Sequence, residues 1–390
     1  MLTGPHGPSC GAFRLQPAAA GVDARLQIRS PQQTYHPSLP HPITNTQSVI
    51  MPTMKAVAFT PGPVSGLHII EHERPTATGR DILVRIKAIS VNPVDTKCRQ
   101  GKFPADPVLG WDAAGIVAEC GPEVTRWKVG DEVMYAGALG RQGTNAQFSV
   151  VDERIVGRKP KNWDWADAAS LPLVGLTAWE LLIDHFNLSL DKPNPGTLLI
   201  INGAGGVGTA AAQLASRVLK IPRVISTASR PETIAWCKQN GATDTIDHHK
   251  PLDTQLKELG VENVEYNAVL YGPTPGYVEQ LIKTAAPRGK IGSIVESDDP
   301  IPLADAFSKA LSFSWVFMLS RPMYNHDLEF QGEALDKMAT LAEEGVLTSF
   351  ATEKYKFTIE NLRKIHQLLE SGKAIGKQVL VLEDDDITEA

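Results

Sequence analysis

Residues 198–215 read LLIINGAGGVGTAAAQLA, and this stretch decides the fold. The apolar run at 198–201 predicts a buried strand, the glycines predict a turn, and the alanine-rich run predicts a helix. The spacing G-x-G-x-x-G between a strand and a helix is typical of the first βαβ unit of a doubly wound parallel sheet. The alternative is a glycine-rich turn that binds no ligand.

The glycines of this turn suit a dinucleotide. Gly203 permits the tight turn, Gly205 lets the backbone approach a pyrophosphate, and Gly208 allows the helix to pack closely on the strand. Gly206 and Val207 open the helix, whose free N–H groups and partial positive charge face the phosphates. We therefore expect these five residues to bind a dinucleotide cofactor.

The end of the next strand distinguishes NAD from NADP. A carboxylate about 20 residues after the glycines would bind the ribose hydroxyls of NAD. Residues 224–228 instead read VISTA and are followed by Ser229 and Arg230. A guanidinium suits a 2′-phosphate, so the sequence favours NADP(H); alternatively, Arg230 only opens a helix before Pro231. His248, which follows a further strand, either contacts the adenosine phosphate or lies in a solvated loop.

The periodicity on either side of this stretch divides the chain in two. Residues 54–172 contain short strands broken by Gly, Pro and Asp, as in an all-β barrel. From residue 173 onward, strands alternate with helices, which implies crossover connections and a parallel sheet. The predicted fold class is therefore α/β, with a β-barrel domain followed by a Rossmann domain.

Composition and length exclude several classes of protein. The chain has 390 residues and a formal net charge of −6, which predicts no basic surface for nucleic acid. No apolar run approaches the ~18–20 residues that span a bilayer, so no membrane partner is expected. The four cysteines form no C-x-x-C pair, which favours a reducing compartment. Residues 1–53 are rich in proline and predict a disordered leader, either a dispensable tail of a cytoplasmic protein or a mitochondrial transit peptide.

Several stretches carry a family resemblance, among them AISVNPVDTKCRQG, VLGWDAAGIVAECG, SLPLVGLTAWELL and GKAIGKQVLVL. Residues 54–382 resemble the medium-chain dehydrogenase/reductase superfamily, and within it the quinone oxidoreductases and the zinc-type alcohol dehydrogenase-like proteins. The resemblance implies a GroES-like catalytic domain at 54–172, completed by 346–390, with a Rossmann NADP-binding domain inserted at 173–345. We also place Lys377, in the last of these stretches, at the cofactor site.

The metal ligands of zinc alcohol dehydrogenases have no counterparts in this sequence. A catalytic zinc needs about three protein ligands, and the positions that correspond by resemblance hold Asn92, Trp111 and the neighbourhood of Leu173. An H-x-x-E-H string at 68–72 would bind a metal only on a helix, and it lies in a strand-rich region. We therefore expect no metal site.

Without zinc, a quinone or an α,β-unsaturated carbonyl is a better substrate than a simple alcohol, because it accepts a hydride without acidification of a hydroxyl. The candidate catalytic residues are Asn92, Asp95, Tyr135 and Thr177, and the Tyr135 phenol could donate a proton. The structural alternatives are that Asn92 shapes a turn and that Asp95 caps a short helix. Phe103 stands where the enoyl-thioester reductases of the superfamily have a tyrosine, which counts against that activity. A zinc alcohol dehydrogenase and a non-catalytic NADPH-binding protein remain the alternative functions.

The family and one apolar segment together predict a homodimer. Residues 309–323 read KALSFSWVFMLSRPM, with no charge between Lys309 and Arg321. An apolar strand at an open sheet edge favours aggregation, whereas pairing with a two-fold mate protects it. We expect Val316 to lie on the paired surface; alternatively, the protein's own helices cover the segment.

Overall fold

The computed structural model describes residues 52–389. The predicted leader therefore lies almost wholly outside the described residues, although its last residue, Thr53, already begins the first strand. In the described part of the chain, no helix combines the length and the apolar character that a membrane crossing requires.

The first half of the described chain is built of short strands, as predicted. A two-stranded antiparallel sheet pairs β1 with β2, and a seven-stranded sheet has the order β14-β15-β3-β4-β5-β7, with β6 paired to β3. The C-terminal strands β14 and β15 thus complete this sheet. The strands are β1 Thr53–Phe59, β2 Leu67–Glu73, β3 Asp81–Ser90, β4 Ala113–Cys120, β5 Glu132–Tyr135, β6 Phe148–Asp152, β7 Val156–Arg158, β14 Ala351–Lys356 and β15 Lys377–Val381.

The six-stranded sheet confirms the doubly wound fold. Its six strands are all parallel, in the order β10-β9-β8-β11-β12-β13. The chain leaves β8 toward one edge and returns to β11 on its other side, which creates the switch point where ligands of such sheets bind. The strands are β8 Thr197–Ile201, β9 Arg223–Thr227, β10 Asp244–Ile246, β11 Val264–Val269, β12 Ala285–Ser293 and β13 Ser312–Trp315.

Ten α-helices accompany the two sheets in the described residues. They are α1 Pro93–Arg99, α2 Trp165–Ala169, α3 Pro172–Trp179, α4 Gly206–Gln213, α5 Pro231–Gln239, α6 Leu252–Glu258, α7 Thr274–Thr284, α8 Ser320–Tyr324, α9 Glu329–Glu343 and α10 Ile359–Glu370. Helix α3 joins the seven-stranded and the six-stranded sheet, because Leu176 and Ala178 belong to one apolar core with residues of both. Helix α9 lies within residues 173–345 but packs on the seven-stranded sheet: a Cβ at Gly157 of β7 would come within 2.3 Å of Leu335.

The apolar segment at 309–323 supplies β13, an edge strand of the six-stranded sheet, as predicted. Its side chains do not point as expected, because Val316 is only 3% exposed and packs in the main core. The exposed apolar residues beside it are Trp315 and Phe317, each 46% exposed. Val316 is therefore the wrong position at which to probe a subunit contact, since a charge there would disrupt the single chain.

Candidate active site

The glycine loop lies where the sequence predicted it, between β8 and α4, with Gly205 as the residue that precedes the helix. The reason for Gly203 differs from the expectation: the left-handed residue of this turn is Asn202, with φ 69°. Gly203 is instead required by crowding, because a Cβ there would lie 2.4 Å from the Cβ of Ser226 on β9. A Cβ at Gly208 would lie 2.3 Å from the carbonyl oxygen of Asn202, which explains the close fit of helix and loop. Gly206 and Val207 form the first turn of α4.

A C-terminal segment lies directly against this loop. The N–H of Gly376 donates to the carbonyl of Ala204 at 2.9 Å. The aliphatic stem of the next residue, Lys377, is so close that a Cβ at Gly206 would come within 2.9 Å of its Cδ. The glycine loop is therefore held by the segment that begins β15 of the other sheet.

The ammonium of Lys377 points away from the loop and is buried. It donates to the carbonyl of Val91 at 2.9 Å and to Oδ1 of Asn92 at 2.5 Å. It also forms an ion pair with Asp112 at 3.2 Å, and Lys377 is only 3% exposed. Lys377 thus lies beside the glycine loop, but its charge is engaged within the protein, and its contact with a cofactor stays a prediction.

Asp112 is the centre of this arrangement. Its Oδ2 accepts hydrogen bonds from the Ser90 hydroxyl and the Asn92 amide, both at 2.7 Å, and its Oδ1 accepts from the N–H of Leu173 at 2.7 Å. Both Asp112 and Asn92 are fully buried. We call Ser90, Asn92, Asp112 and Lys377 the buried ionic cluster. It connects β3, β4, α3 and β15 in one hydrogen-bonded group.

The contacts of the cluster identify its charge state. Burial raises the pKa of Asp112 and lowers the pKa of Lys377, while the charge of each partner opposes the shift of the other. Both oxygens of Asp112 receive N–H donors, and the nitrogen of Lys377 faces three oxygen acceptors. This pattern fits a carboxylate and an ammonium, since a neutral amine would leave donors and acceptors mismatched.

Asp95 lies one turn into α1 and is also buried. Its Oδ2 accepts a hydrogen bond from the N–H of Asn92 at 2.8 Å, so it caps the helix, as the structural alternative proposed. Burial raises the pKa of Asp95 to about 7, against the lowering effects of that hydrogen bond and of Lys377. Asp95 therefore titrates near neutral pH next to the buried ionic cluster.

Thr177 and Tyr135 lie in different surroundings. Thr177 is buried on α3, and its hydroxyl donates to the carbonyl of Leu173 at 2.7 Å, one turn before it. Tyr135 and Val133 lie on one face of β5, in an apolar core formed with residues of β3, β4 and α10. Their neighbour Met134 lies on the other face, in the core shared with α3. The structure thus brings Asn92, Asp95 and Thr177 close to Leu173 and Asp112, and it turns Tyr135 to the opposite face of β5.

The residues predicted to select NADP lie together at the end of β9. Ser229 is exposed, and the Arg230 guanidinium donates to the carbonyl of Lys373 at 3.1 Å and pairs with Glu232 at 3.4 Å. His248 follows β10, the strand next to β9, and its Nδ1 is buried without a partner. Burial and the neighbouring His249 lower the pKa of His248.

The three positions that correspond to zinc ligands, Asn92, Trp111 and the neighbourhood of Leu173, offer no side-chain atom that is free to bind a metal. Asn92 is engaged with Asp112 and Lys377, and Trp111 is a buried indole in the main core. The H-x-x-E-H string lies on strand β2, so the helical spacing it would need is absent. Within residues 52–389, one His/Asp group has atoms close enough to hold a metal ion, namely the consecutive residues Asp247, His248 and His249.

Sequence reasoning missed the role of Asp112. The stretch GWDAAG drew attention only because Trp111 cannot bind zinc, although an aspartate between apolar residues before a buried strand is itself a signal of a satisfied internal carboxylate. It also missed an ion pair between the two halves, in which Lys97 of α1 reaches Glu296 at 3.4 Å. The ring of Phe103 lies 5.5 Å from the Lys97 nitrogen.

These features define a class: a nucleotide-dependent oxidoreductase with a glycine loop on a doubly wound sheet and a second, strand-built domain beside it. Residues 78–161 match the alcohol dehydrogenase GroES-like domain, and residues 240–380 match the zinc-binding dehydrogenase family. The chain belongs to the medium-chain dehydrogenase/reductase superfamily, which confirms both the resemblance and the fold class. The match of the C-terminal half concerns the family, since that part contains none of the three ligand positions discussed above.

Individual relatives agree with this membership. The chain is 41% identical over 317 residues to a zinc-type alcohol dehydrogenase-like protein of Staphylococcus aureus, which covers 80% of this chain and 94% of that protein. It is 30% identical over 311 residues to an NADPH-dependent alkenal/one oxidoreductase of Arabidopsis thaliana, which covers 77% of this chain and 71% of that protein.

Solved structures show the same architecture. A zinc-dependent alcohol dehydrogenase protein from Rhizobium etli superposes with a TM-score of 0.80 at 42% identity, covering 85% of this chain and 98% of that one. A quinone oxidoreductase from Coxiella burnetii superposes with a TM-score of 0.71 at 26% identity, covering 85% and 100%. The protein is therefore an oxidoreductase of this superfamily.

Proposed function

We propose that the protein is a zinc-independent, NADPH-dependent reductase that transfers hydride to a quinone or to an α,β-unsaturated carbonyl compound. The observation that carries the proposal is the buried ionic cluster. The zinc enzymes of the superfamily have their first metal ligand at the position of Asn92. In this protein the Asn92 amide contacts the Lys377 ammonium and the Asp112 carboxylate instead. The Lys377 ammonium is already neutralised by Asp112 and donates to the side-chain oxygen of Asn92. Asn92 therefore has no capacity left to bind a metal.

NADPH is the proposed cofactor because of the end of β9. No carboxylate follows that strand directly, and Ser229 and Arg230 present a hydroxyl and a guanidinium there. The Arg230 guanidinium pairs with the surface carboxylate of Glu232, and a 2′-phosphate would compete for it. The phosphate is favoured because arginine binds phosphate groups through two parallel hydrogen bonds. The Arabidopsis relative, whose printed name includes NADPH, supports this choice.

The hydrogen bonds of the candidate catalytic residues favour a conjugated substrate. NADPH, when bound, would supply the hydride. The amide hydrogens of Asn92 are directed to Asp112 and, at 3.4 Å, to the carbonyl of Ser90, while the hydroxyl of Thr177 is directed to Leu173. Asn92 and Thr177 therefore hold their surroundings in position and have no free proton to give, whereas Asp95, whose pKa burial raises to about 7, is engaged as the cap of α1. An enolate or a hydroquinone anion spreads its charge and can take a proton from water, whereas an alkoxide needs an acid beside it.

A substrate panel tests the proposal. NADPH oxidation should be fast with enals, enones or quinones and slow with simple ketones of similar size. The saturated product of an enone, formed in D₂O, should carry deuterium at the carbon next to the carbonyl, because water supplies that proton. Preferred turnover of a ketone and alcohol pair would contradict the proposal, and cofactor binding without turnover on the whole panel would favour a non-catalytic NADPH-binding protein.

A further inference from the structure

Tyr135 lines a cavity that belongs to neither the glycine loop nor the buried ionic cluster. The cavity has a volume of about 190 Å³ and lies between β5, β6 and the segment that follows α8. Its walls include Gly110, Tyr135, Thr144, Ser149 and Leu328, and they include no residue of 173–295. It is therefore separate from the side of α3 that faces the glycine loop.

The Tyr135 hydroxyl makes this cavity unusual. Tyr135 is 1% exposed, and the Ser149 hydroxyl, which lies near enough to lower the pKa of the phenol against the raising effect of burial, makes no hydrogen bond of ordinary geometry with it. A buried hydroxyl that loses its bonds to water without replacement costs free energy, so such groups in folded proteins are nearly always satisfied. The hydroxyl of Ser149 in the same wall makes only a long contact, 3.5 Å, to the carbonyl of Gln142. The cavity wall thus contains a phenol and a serine hydroxyl that lack well-formed hydrogen bonds.

The remaining walls indicate what could fill that space. The charged side chains are neutralised by other residues, because Arg141 binds Asp81 through two bonds of 2.8 and 2.9 Å and Asp152 binds Arg154 at 2.7 Å. The other side chains in the wall include the apolar Val151, Ile155, Pro322 and Leu328. A neutral ligand is favoured, since a charged one would find no free counter-charge.

We propose that this cavity is a second small-molecule site, which binds a neutral compound of about the size of phenol with one hydroxyl or carbonyl group directed at Tyr135. A cavity of ~150 Å³ lined by apolar residues admits benzene, so a six-membered ring with one polar substituent fits the volume here. Apolar walls with one or two placed polar groups are the usual composition of a small-molecule site. The proposal does not depend on the reaction proposed above.

The site has a direct connection to the buried ionic cluster. Thr144, in its wall, donates through its hydroxyl to the backbone carbonyl of Asp112 at 3.1 Å. Gly110, two residues before Asp112, packs so closely that a Cβ there would lie 2.4 Å from the Thr144 hydroxyl. A bound ligand therefore contacts the segment that positions Asp112.

Fluorine NMR with two probes tests the site on the full chain saturated with NADP⁺. The probes are 4-fluorophenol, which can bond to the tyrosine, and fluorobenzene, which cannot. We expect 4-fluorophenol to bind the wild type saturably, and Tyr135→Phe to weaken its binding by about tenfold, as the loss of one hydrogen bond implies. Fluorobenzene should bind Tyr135→Phe at least as well as it binds the wild type. Tyr277→Phe, a matched change on α7 in another core, should alter neither affinity.

A second variant, Ala138→Phe, fills the cavity from a half-buried position in its wall and should abolish binding of both probes. If Tyr135→Phe does not fold, the Ala138→Phe variant still tests whether the probes bind in this cavity. Absence of binding to the wild type would show that the cavity holds only water and would overturn the proposal. Binding that is equal in the wild type and Tyr135→Phe, or that persists in Ala138→Phe, would place the probe elsewhere and would overturn it as well.

Discussion

Replacement of Lys377 by methionine isolates the contribution of the buried ionic cluster. Lys377→Met keeps the length of the side chain and its packing against Gly206 but removes the ammonium. Asp112 would then be a fully buried carboxylate without its counter-charge, and one acceptor of Asn92 would lose its donor.

The expected loss of stability follows from this geometry. Removal of one partner from a buried ion pair costs about 3–5 kcal/mol, because the remaining charge is left uncompensated. The unfolding entropy of about 2.1 cal/mol/K per residue gives about 0.7 kcal/mol/K for the described residues, so the loss corresponds to about 4–7 °C in melting temperature.

Thermal unfolding of the wild type and four variants measures the effect. The variants are Lys377→Met, Asp112→Asn, the double variant, and Lys373→Met as a control on an exposed lysine of the same segment. The double variant should be clearly more stable than the sum of the two single losses predicts, since it contains no unpaired charge. Additive losses, or a Lys377→Met protein as stable as the Lys373→Met control, would refute the assigned ion pair.

Three further predictions concern the cofactor, pH and assembly. Arg230→Ala should weaken NADPH by about 1.5–3 kcal/mol, the value of a charged hydrogen bond, and leave NADH nearly unchanged in fluorescence titrations; wild-type affinities that are equal for the two cofactors would contradict this. Asp95 has a folded-state pKa of about 7, raised by burial from 3.8, so its contribution to stability is present below pH 4 and is lost as the pH rises through 7. Denaturation at pH 5 and at pH 8 should therefore show that the free energy of unfolding falls less between these two values in Asp95→Asn than in the wild type. The same pH dependence in both proteins would show that Asp95 is not the group that titrates. We also propose a homodimer through the edge strand β13: Trp315→Glu should shift the mass measured by light scattering toward the monomer, whereas a wild-type mass near 42.2 kDa would exclude the dimer.

The glycine loop could be predicted because its signal is local: strand, glycines and helix follow one another within 18 residues. The buried ionic cluster could not, because its members are far apart, with Asn92 and Lys377 separated by 285 positions. Nothing in either short stretch states that the other will be its partner.

The side chains of Tyr135 and Val316 point in directions that the sequence analysis did not predict, and the two cases have a common physical cause. Strand β5 has only four residues, and its last three are all buried, so the alternation of apolar and polar residues that would have shown the face of Tyr135 is missing. Val316 follows the end of β13 directly, in a segment without charges, so no charged neighbour indicates which apolar residue turns into the core. Which side chains of such short segments turn into the core is decided by tertiary packing.

Zinc independence is tested most directly by turnover of an enone with NADPH after exhaustive chelation, with the metal content of the same sample measured. We expect the chelated enzyme to contain far less than one zinc per chain and to retain the full rate, because Asn92 is engaged with Asp112 and Lys377 and Trp111 offers no ligand. A rate that falls with the zinc content and returns when zinc is added would contradict the account.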